Sequence, residues 1–148
     1  MRNTTLSVML LLSLACSPKG DVKSSGAKLY DRLGGKAAIE AVVQKMLDHV
    51  KADNRINAKF ANADMVGLKS KLVDQICEAT GGPCKYTGRN MKEAHAGMGI
   101  STAEFDALVE DLVKALDELK VAEREKNELL GILGPMKADI VEEGFQQR

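Results

Sequence analysis

The chain has 148 residues, 21 of them basic and 21 acidic, so its formal net charge at neutral pH is zero. This length supports one domain with a real hydrophobic core and divides poorly into two. The balanced charge gives no indication of a nucleic acid or other polyanionic partner. With three Phe, two Tyr and no Trp, aliphatic side chains and seven Met must fill the core.

The N-terminal residues have the pattern of an export signal. Arg2, the apolar run 6–14 and Ala15 are typical of a secretory signal peptide, which we assign to residues 1–15. Cys16 follows the small residue directly, as in the lipobox of bacterial lipoproteins, where that cysteine is acylated. We therefore predict an exported protein that is periplasmic or anchored to a membrane through lipid on Cys16.

Residues 16–27 are small and polar without periodicity, so we predict a tether there and a folded domain at 28–148. Cys77 and Cys84 flank a Gly-Gly turn that can fold the chain back. In an oxidising compartment such a pair tends to form a disulfide, although two unlinked thiols remain the alternative. Neither cysteine belongs to a CxxCH motif, so covalent attachment of c-type haem is not indicated.

Most of the domain shows the periodicity of amphipathic helices, with apolar residues at three- and four-residue steps. No stretch alternates with period two for long enough to form a strand, so we predict an all-α domain. Asp64 caps one helix, and Ser101 with Glu104 forms a capping box on another. Pro135 should bend the last helix. The predicted helices cover residues 36–52, 65–79, a short run ending at His95, 101–119 and 122–143.

His95 is one of only two histidines and follows a short amphipathic run that ends at glycines. Neutral imidazole binds metals well, and proximal ligation of haem iron by one histidine is a recurrent use. The alternative is a surface histidine or a hydrogen-bonded core histidine, and we predict that His49 is solvent-facing. Two histidines at this spacing do not build a zinc site, so His95 indicates a ligand that brings its own metal.

Four motifs occur in a fixed order along the domain. They are LYDRLGGKAAIEAVV at 29–43, Gly-Gly-Pro at 81–83, YTGRNMKEAHAGMGIS at 86–101 and FDALVEDLVKALDELKV at 105–121. With their spacing kept, they resemble the opening, distal, proximal and penultimate-helix segments of the truncated haemoglobins, group I in particular. This resemblance implies a two-over-two helical sandwich around non-covalent haem b.

The resemblance also implies roles for single residues on the proximal side. His95 occupies the family's MxxAH position and would be the proximal ligand to iron. Phe60 matches the ring that braces haem, and Met91 matches a residue lining the proximal side. Arg89 and Lys92 would pair with haem propionates, and ordinary solvated charges are the alternative.

The distal side departs from the family pattern. Leu47 aligns with a tyrosine that usually faces the gas, and Leu68 and Leu72 align with positions that are often glutamine. An aliphatic pocket should release oxygen faster and autoxidise more readily, although Gln75 could reach the ligand. Lys71 aligns with a histidine that closes on the iron in some relatives. It would either ligate ferric iron as a neutral amine or bend outward to a propionate or water.

The predicted function is reversible binding of a diatomic gas, namely oxygen, nitric oxide or CO, by a non-enzymatic haem protein. One alternative is a haem redox enzyme that acts on nitric oxide with oxygen, or an electron-transfer protein, which would need a partner reductase. Another is a haem-free helical lipoprotein. The joint presence of His95, Phe60 and Met91 disfavours it, because a haem-free chain has no need for that combination.

Overall fold

The computed structural model describes residues 26–142, and all regular secondary structure in that span is helical, which confirms the all-α prediction. The predicted signal peptide, nearly all of the predicted tether and residues 143–148 lie outside the described residues. None of the described helices is long and apolar enough to cross a membrane. The elements are α1 (Leu29–Arg32), α2 (Gly35–Ala52), a 3-10 helix (Asn57–Phe60), α3 (Met65–Ala79), α4 (Met91–His95), α5 (Thr102–Glu118), α6 (Glu123–Leu133), a second 3-10 helix (Gly134–Met136) and α7 (Lys137–Ile140).

Helix α2 forms the centre of the core, because it packs against both α3 and α5. Its apolar residues recur at helical spacing, so one face is buried along almost its whole length. Helix α5 buries a similar apolar face against the core. The buried residues of α2 are Ile39, Val42, Val43, Met46, Leu47 and Val50.

The helix starts that the sequence predicts are confirmed. The Asp64 side chain accepts hydrogen bonds from the backbone N–H groups of Val66 at 3.2 Å and Gly67 at 3.1 Å. Ser101 Oγ accepts from Glu104 N–H at 3.2 Å, and Glu104 Oε2 accepts from Ser101 N–H at 2.8 Å, which completes the capping box. These caps satisfy backbone donors that have no partner within the helix.

The end of the domain differs from the prediction of one bent helix over 122–143. Helix α6 ends at Leu133, a 3-10 turn containing Pro135 follows, and α7 ends at Ile140. Proline lacks the N–H that would continue the α-helical ladder, and its ring crowds the preceding turn. The α-helix is therefore interrupted at Pro135, and α7 is a separate helix that contacts α4 and α5.

Cys77 and Cys84 form the disulfide that the sequence predicts. The turn between them passes through Gly81, at a φ of 88°, and Gly82. A Cβ on Gly82 would lie 2.7 Å from Cys77 Sγ and would collide with the ring of Tyr30, so only glycine fits there. The bond thereby joins the end of α3 to the segment that leads toward α4.

Removing this disulfide should lower stability measurably. A double Cys77→Ala, Cys84→Ala variant reopens an eight-residue loop, and its free energy of unfolding should fall by about 2.5 kcal/mol because the unfolded chain regains entropy. Urea denaturation of oxidised wild type, reduced wild type and the variant measures the effect. Reduced wild type should match the variant, and a midpoint unmoved by reductant would contradict the prediction.

Candidate functional site

A cavity of about 500 Å³ opens between α3 on one side and α4 with its following loop on the other. Pockets of a few hundred Å³ up to about 1,000 Å³ are the usual size for small-molecule and cofactor sites. Most of the surface is aliphatic, aromatic or methionine side chain, with basic groups near the mouth. The lining residues are Ile56, Lys59, Phe60, Ala63, Leu68, Lys71, Leu72, Gln75, Tyr86, Gly88, Arg89, Met91, Ala94, His95, Met98, Ile100, Glu104, Phe105, Leu108 and Ile140.

Helix α3 supplies one wall of the cavity through residues three and four positions apart, which share one helical face. Leu68 and Leu72 give this wall an apolar surface. Lys71 lines the cavity as well, but its exposed ammonium donates to Thr87 Oγ1 at 3.0 Å. The amine is therefore directed to the segment that precedes α4.

Gln75 is the other polar side chain on the α3 wall. Its amide N–H group lies 3.2 Å from the sulfur of Met91 and 3.6 Å from that of Met136. Thioether sulfur is only a weak acceptor, so these contacts orient the amide but are weak hydrogen bonds. The α3 wall thus presents leucines to the cavity, while its amine and amide are directed to other protein groups.

The opposite wall carries His95 at the end of α4. Its Nδ1 lies 2.8 Å from the backbone carbonyl oxygen of Met91, one turn earlier. A carbonyl oxygen can only accept, so Nδ1 carries the proton and Nε2 of the neutral ring keeps a free lone pair. Metal-ligating histidines are commonly fixed in this way, by donating the second ring N–H to a carbonyl. The imidazole is half-buried and lines the cavity.

Charged side chains in the cavity lining are mainly basic. Lys59 Nζ lies 3.4 Å from Glu104 Oε1. Burial raises the pKa of Glu104, but hydrogen bonds from Ser101 and the charge of Lys59 outweigh it, so that pKa is lowered and the carboxylate stays ionised. Within residues 26–142, neither Lys71 nor Arg89 forms an ion pair, so two cations are left to bind anionic groups.

Of the nine residues predicted to contact a cofactor, seven line the cavity, and two do not. Leu47 is 3% exposed and lies in the core around α2, because the stripe that carries it is covered by neighbouring helices. Lys92 is exposed on the outer side of α4, away from the cavity face that Met91 and His95 share. The seven are Phe60, Leu68, Lys71, Leu72, Arg89, Met91 and His95.

Several residues at the site are not predicted from the sequence. Tyr86 lines the cavity, and its hydroxyl donates to the carbonyl oxygen of Arg89 at 2.7 Å. Met98 and Phe105 also line it, on either side of the Ser101 cap. The proximity of Tyr86 and Met98 to His95 in sequence is a signal that could have found them. His49, predicted to face solvent, is instead half-buried, with Nε2 2.9 Å from Glu118.

The side chains of the described segment do not form a site for a bare metal ion. No group of three or more His, Cys, Asp and Glu residues converges within residues 26–142. His95 is therefore a single nitrogen donor facing a large apolar cavity. Such a donor set fits a flat, apolar ligand whose own atoms hold the metal, with acidic groups directed to the basic mouth.

Comparisons with known proteins agree with this architecture. Group 1 truncated hemoglobin GlbN of Mycolicibacterium paratuberculosis is 36% identical over 118 residues, covering 80% of this chain and 87% of that protein. The structure of truncated hemoglobin from Tetrahymena pyriformis in its Fe(III) form gives a TM-score of 0.75 at 35% identity, covering 78% of this chain and 98% of that one. The cyanomet 2/2 hemoglobin of a Synechococcus species, with covalently attached heme, gives 0.74 at 36% identity, with the same coverage.

The helical arrangement is thus that of the 2/2 globins, and the predicted two-over-two fold is confirmed. A family model described as bacterial-like globin matches residues 28–142, nearly all of the described chain. The chain belongs to this family and is a truncated globin.

Proposed function

We propose that this globin binds haem b non-covalently, as a group I member, and reversibly binds a diatomic gas on the α3 side. The observation that carries the proposal is the geometry of His95, whose Nδ1 is fixed on the Met91 carbonyl at 2.8 Å. This leaves Nε2 free to bind the iron of a haem group. Haem, when bound, supplies the metal centre that coordinates the gas.

Other cavity residues would contact different parts of a haem group. Phe60 and Met91 offer apolar surface for packing against a flat ring. Arg89 and Lys71 supply cations for carboxylate side chains of the ligand. Leu68 and Leu72 present apolar side chains to the space on the α3 side, where a small neutral gas pays a smaller desolvation cost than an ion.

A gas-binding role without catalysis accounts for the α3 wall better than an enzyme that turns over nitric oxide with oxygen. Oxygen chemistry benefits from hydrogen-bond donors aimed at the polarised oxygen molecule. Here the amide of Gln75 is directed to the Met91 sulfur, and the amine of Lys71 to Thr87. Among the described residues, no specific contact favours the enzymatic or electron-transfer alternative.

Export, with or without a lipid anchor on Cys16, is part of the proposal. It is supported by the signal-like pattern of residues 1–15. The Cys77–Cys84 disulfide agrees with it, because disulfides persist mainly in oxidising compartments outside the cytoplasm.

Absorption spectra of the ferric, ferrous and CO forms test the proposal. We expect a Soret band that shifts on reduction and again with CO, and a ferric spin state that is the same in wild type and Lys71→Ala, since Lys71 faces Thr87. Lys69→Ala is the matched control, because Lys69 is also on α3 but donates to Gln44. No Soret band after reconstitution would support a haem-free protein, and a spin-state change only in Lys71→Ala would identify Lys71 as the sixth ligand.

A further inference from the structure

The segment directly after His95, which we call the proximal loop (residues 96–100), has little structure of its own. Gly97 and Gly99 adopt left-handed backbone angles, with φ of 76° and 59°. Helix α4 before it has only five residues, and a single helical turn is not stable in isolation. The orientation of His95 must therefore depend on contacts that other parts of the chain make with this segment.

Glu142, from the end of the described chain, makes three of these contacts. Its carboxylate accepts hydrogen bonds from the backbone N–H groups of Gly97, at 2.6 Å, and Gly99, at 2.7 Å, with a different oxygen for each. Its own backbone N–H donates to the carbonyl oxygen of Ile100 at 3.0 Å. Glu142 thus connects three residues of the proximal loop, Gly97, Gly99 and Ile100, to the segment that follows α7.

Lys59, in the 3-10 helix after α2, holds the same loop from another direction. Its ammonium donates to the carbonyl oxygens of Met98 at 3.0 Å and Gly99 at 3.2 Å. Hydrogen bonds that involve an ionised group are about twice as strong as neutral ones. The loop is thus bound through its donors by a carboxylate and through its acceptors by an ammonium.

We propose that Glu142 is a positioning residue for His95, and this inference rests on the proposed function. By fixing the proximal loop, the Glu142 carboxylate limits rotation and displacement of the adjacent one-turn helix α4. The His95 Nε2 donor thereby keeps one direction in the cavity, and this direction would set the strength of its bond to a haem iron. At the other end of α4, Asn90 Oδ1 accepts from Glu93 N–H at 2.8 Å, which caps the start of the helix.

Glu142→Gln, in the full-length chain, tests this role without changing side-chain size. In the amide, an NH2 group replaces one of the two carboxylate oxygens, so one of the two glycine N–H groups loses its acceptor. Glu40→Gln is the matched control, because Glu40 is exposed on α2 and the substitution removes the same charge. Resonance Raman spectroscopy of the ferrous protein measures the iron–histidine stretching band. We expect the band to shift or broaden in Glu142→Gln and to stay unchanged in Glu40→Gln.

Hydrogen exchange gives a second readout that does not need haem. Amides of residues 96–100 should exchange at least about tenfold faster in Glu142→Gln, because a charge-assisted hydrogen bond is lost. An unchanged Raman band in a variant with normal haem content would overturn the positioning role, and so would unchanged amide exchange. Failure of all three proteins to bind haem would overturn the proposed function as well, so the two failures are distinguishable.

Discussion

Replacement of His95 by alanine is expected to abolish stable haem binding. Loss of a residue that merely supports a metal ligand already costs about 10–100-fold in metal affinity, so loss of the ligand itself should cost more than about 100-fold. No other histidine lines the cavity to replace it. The measurement is the Soret absorbance per polypeptide after reconstitution with haemin and gel filtration.

His49→Ala is the matched control for this experiment, since His49 is the only other histidine in the chain. It lies on α2 with Nε2 2.9 Å from Glu118 and is not part of the cavity lining. This variant should therefore retain wild-type haem content. Addition of free imidazole to a His95→Gly variant should restore the absorbance, because the small ligand can occupy the space of the missing ring. Equal haem content in His95→Ala and His49→Ala would disprove ligation by His95.

The elements that the sequence predicts well are those governed by local rules. Helix α3 begins after Asp64 and ends at Ala79, as its cap and its apolar period predict, because both depend on residues within a few positions. The disulfide is similarly local, with a separation of seven residues. His95 could be singled out for the same reason: a short run with one imidazole and two glycines is visible without any tertiary contact.

The features that the sequence does not predict depend on which elements meet in space. Glu142 contacts Gly97 across 45 positions, and Lys59 contacts Met98 across 39, and no periodicity encodes either pair. Leu47 shows the same limit in another form. Its helical stripe predicts that it is buried, but whether it faces the core or a cavity depends on the angle at which α2 crosses its neighbours.

Few polar groups are free to interact with a ligand inside the cavity, on the His95 side or on the α3 side. The imidazole of His95 is fixed by a backbone carbonyl, and the proximal loop beyond it by Glu142 and Lys59. On the α3 side, the polar side chains of Lys71 and Gln75 are directed to other protein groups. A gas on that side would therefore interact mainly with leucine side chains.

Introducing a hydrogen-bond donor at Leu68 should slow the dissociation of bound oxygen. Dioxygen gains partial negative charge when it is held by a haem protein, and an amide donor from the α3 wall would stabilise that charge. A hydrogen bond to a charged group contributes about 1.5–3 kcal/mol, so the oxygen dissociation rate in Leu68→Gln should fall roughly 10- to 100-fold. Stopped-flow replacement of oxygen by CO measures this rate.

Leu68→Met separates hydrogen bonding from changes in shape, because methionine is close to glutamine in length but has no donor. Its oxygen dissociation rate should stay within a few-fold of wild type, and CO dissociation should change little in either variant, since CO acquires less negative charge than oxygen. Autoxidation should also slow in Leu68→Gln alone. If Leu68→Gln and Leu68→Met released oxygen at the same rate, the α3 wall would not be the element that controls oxygen retention, and Leu68 would serve only to fill space and exclude water.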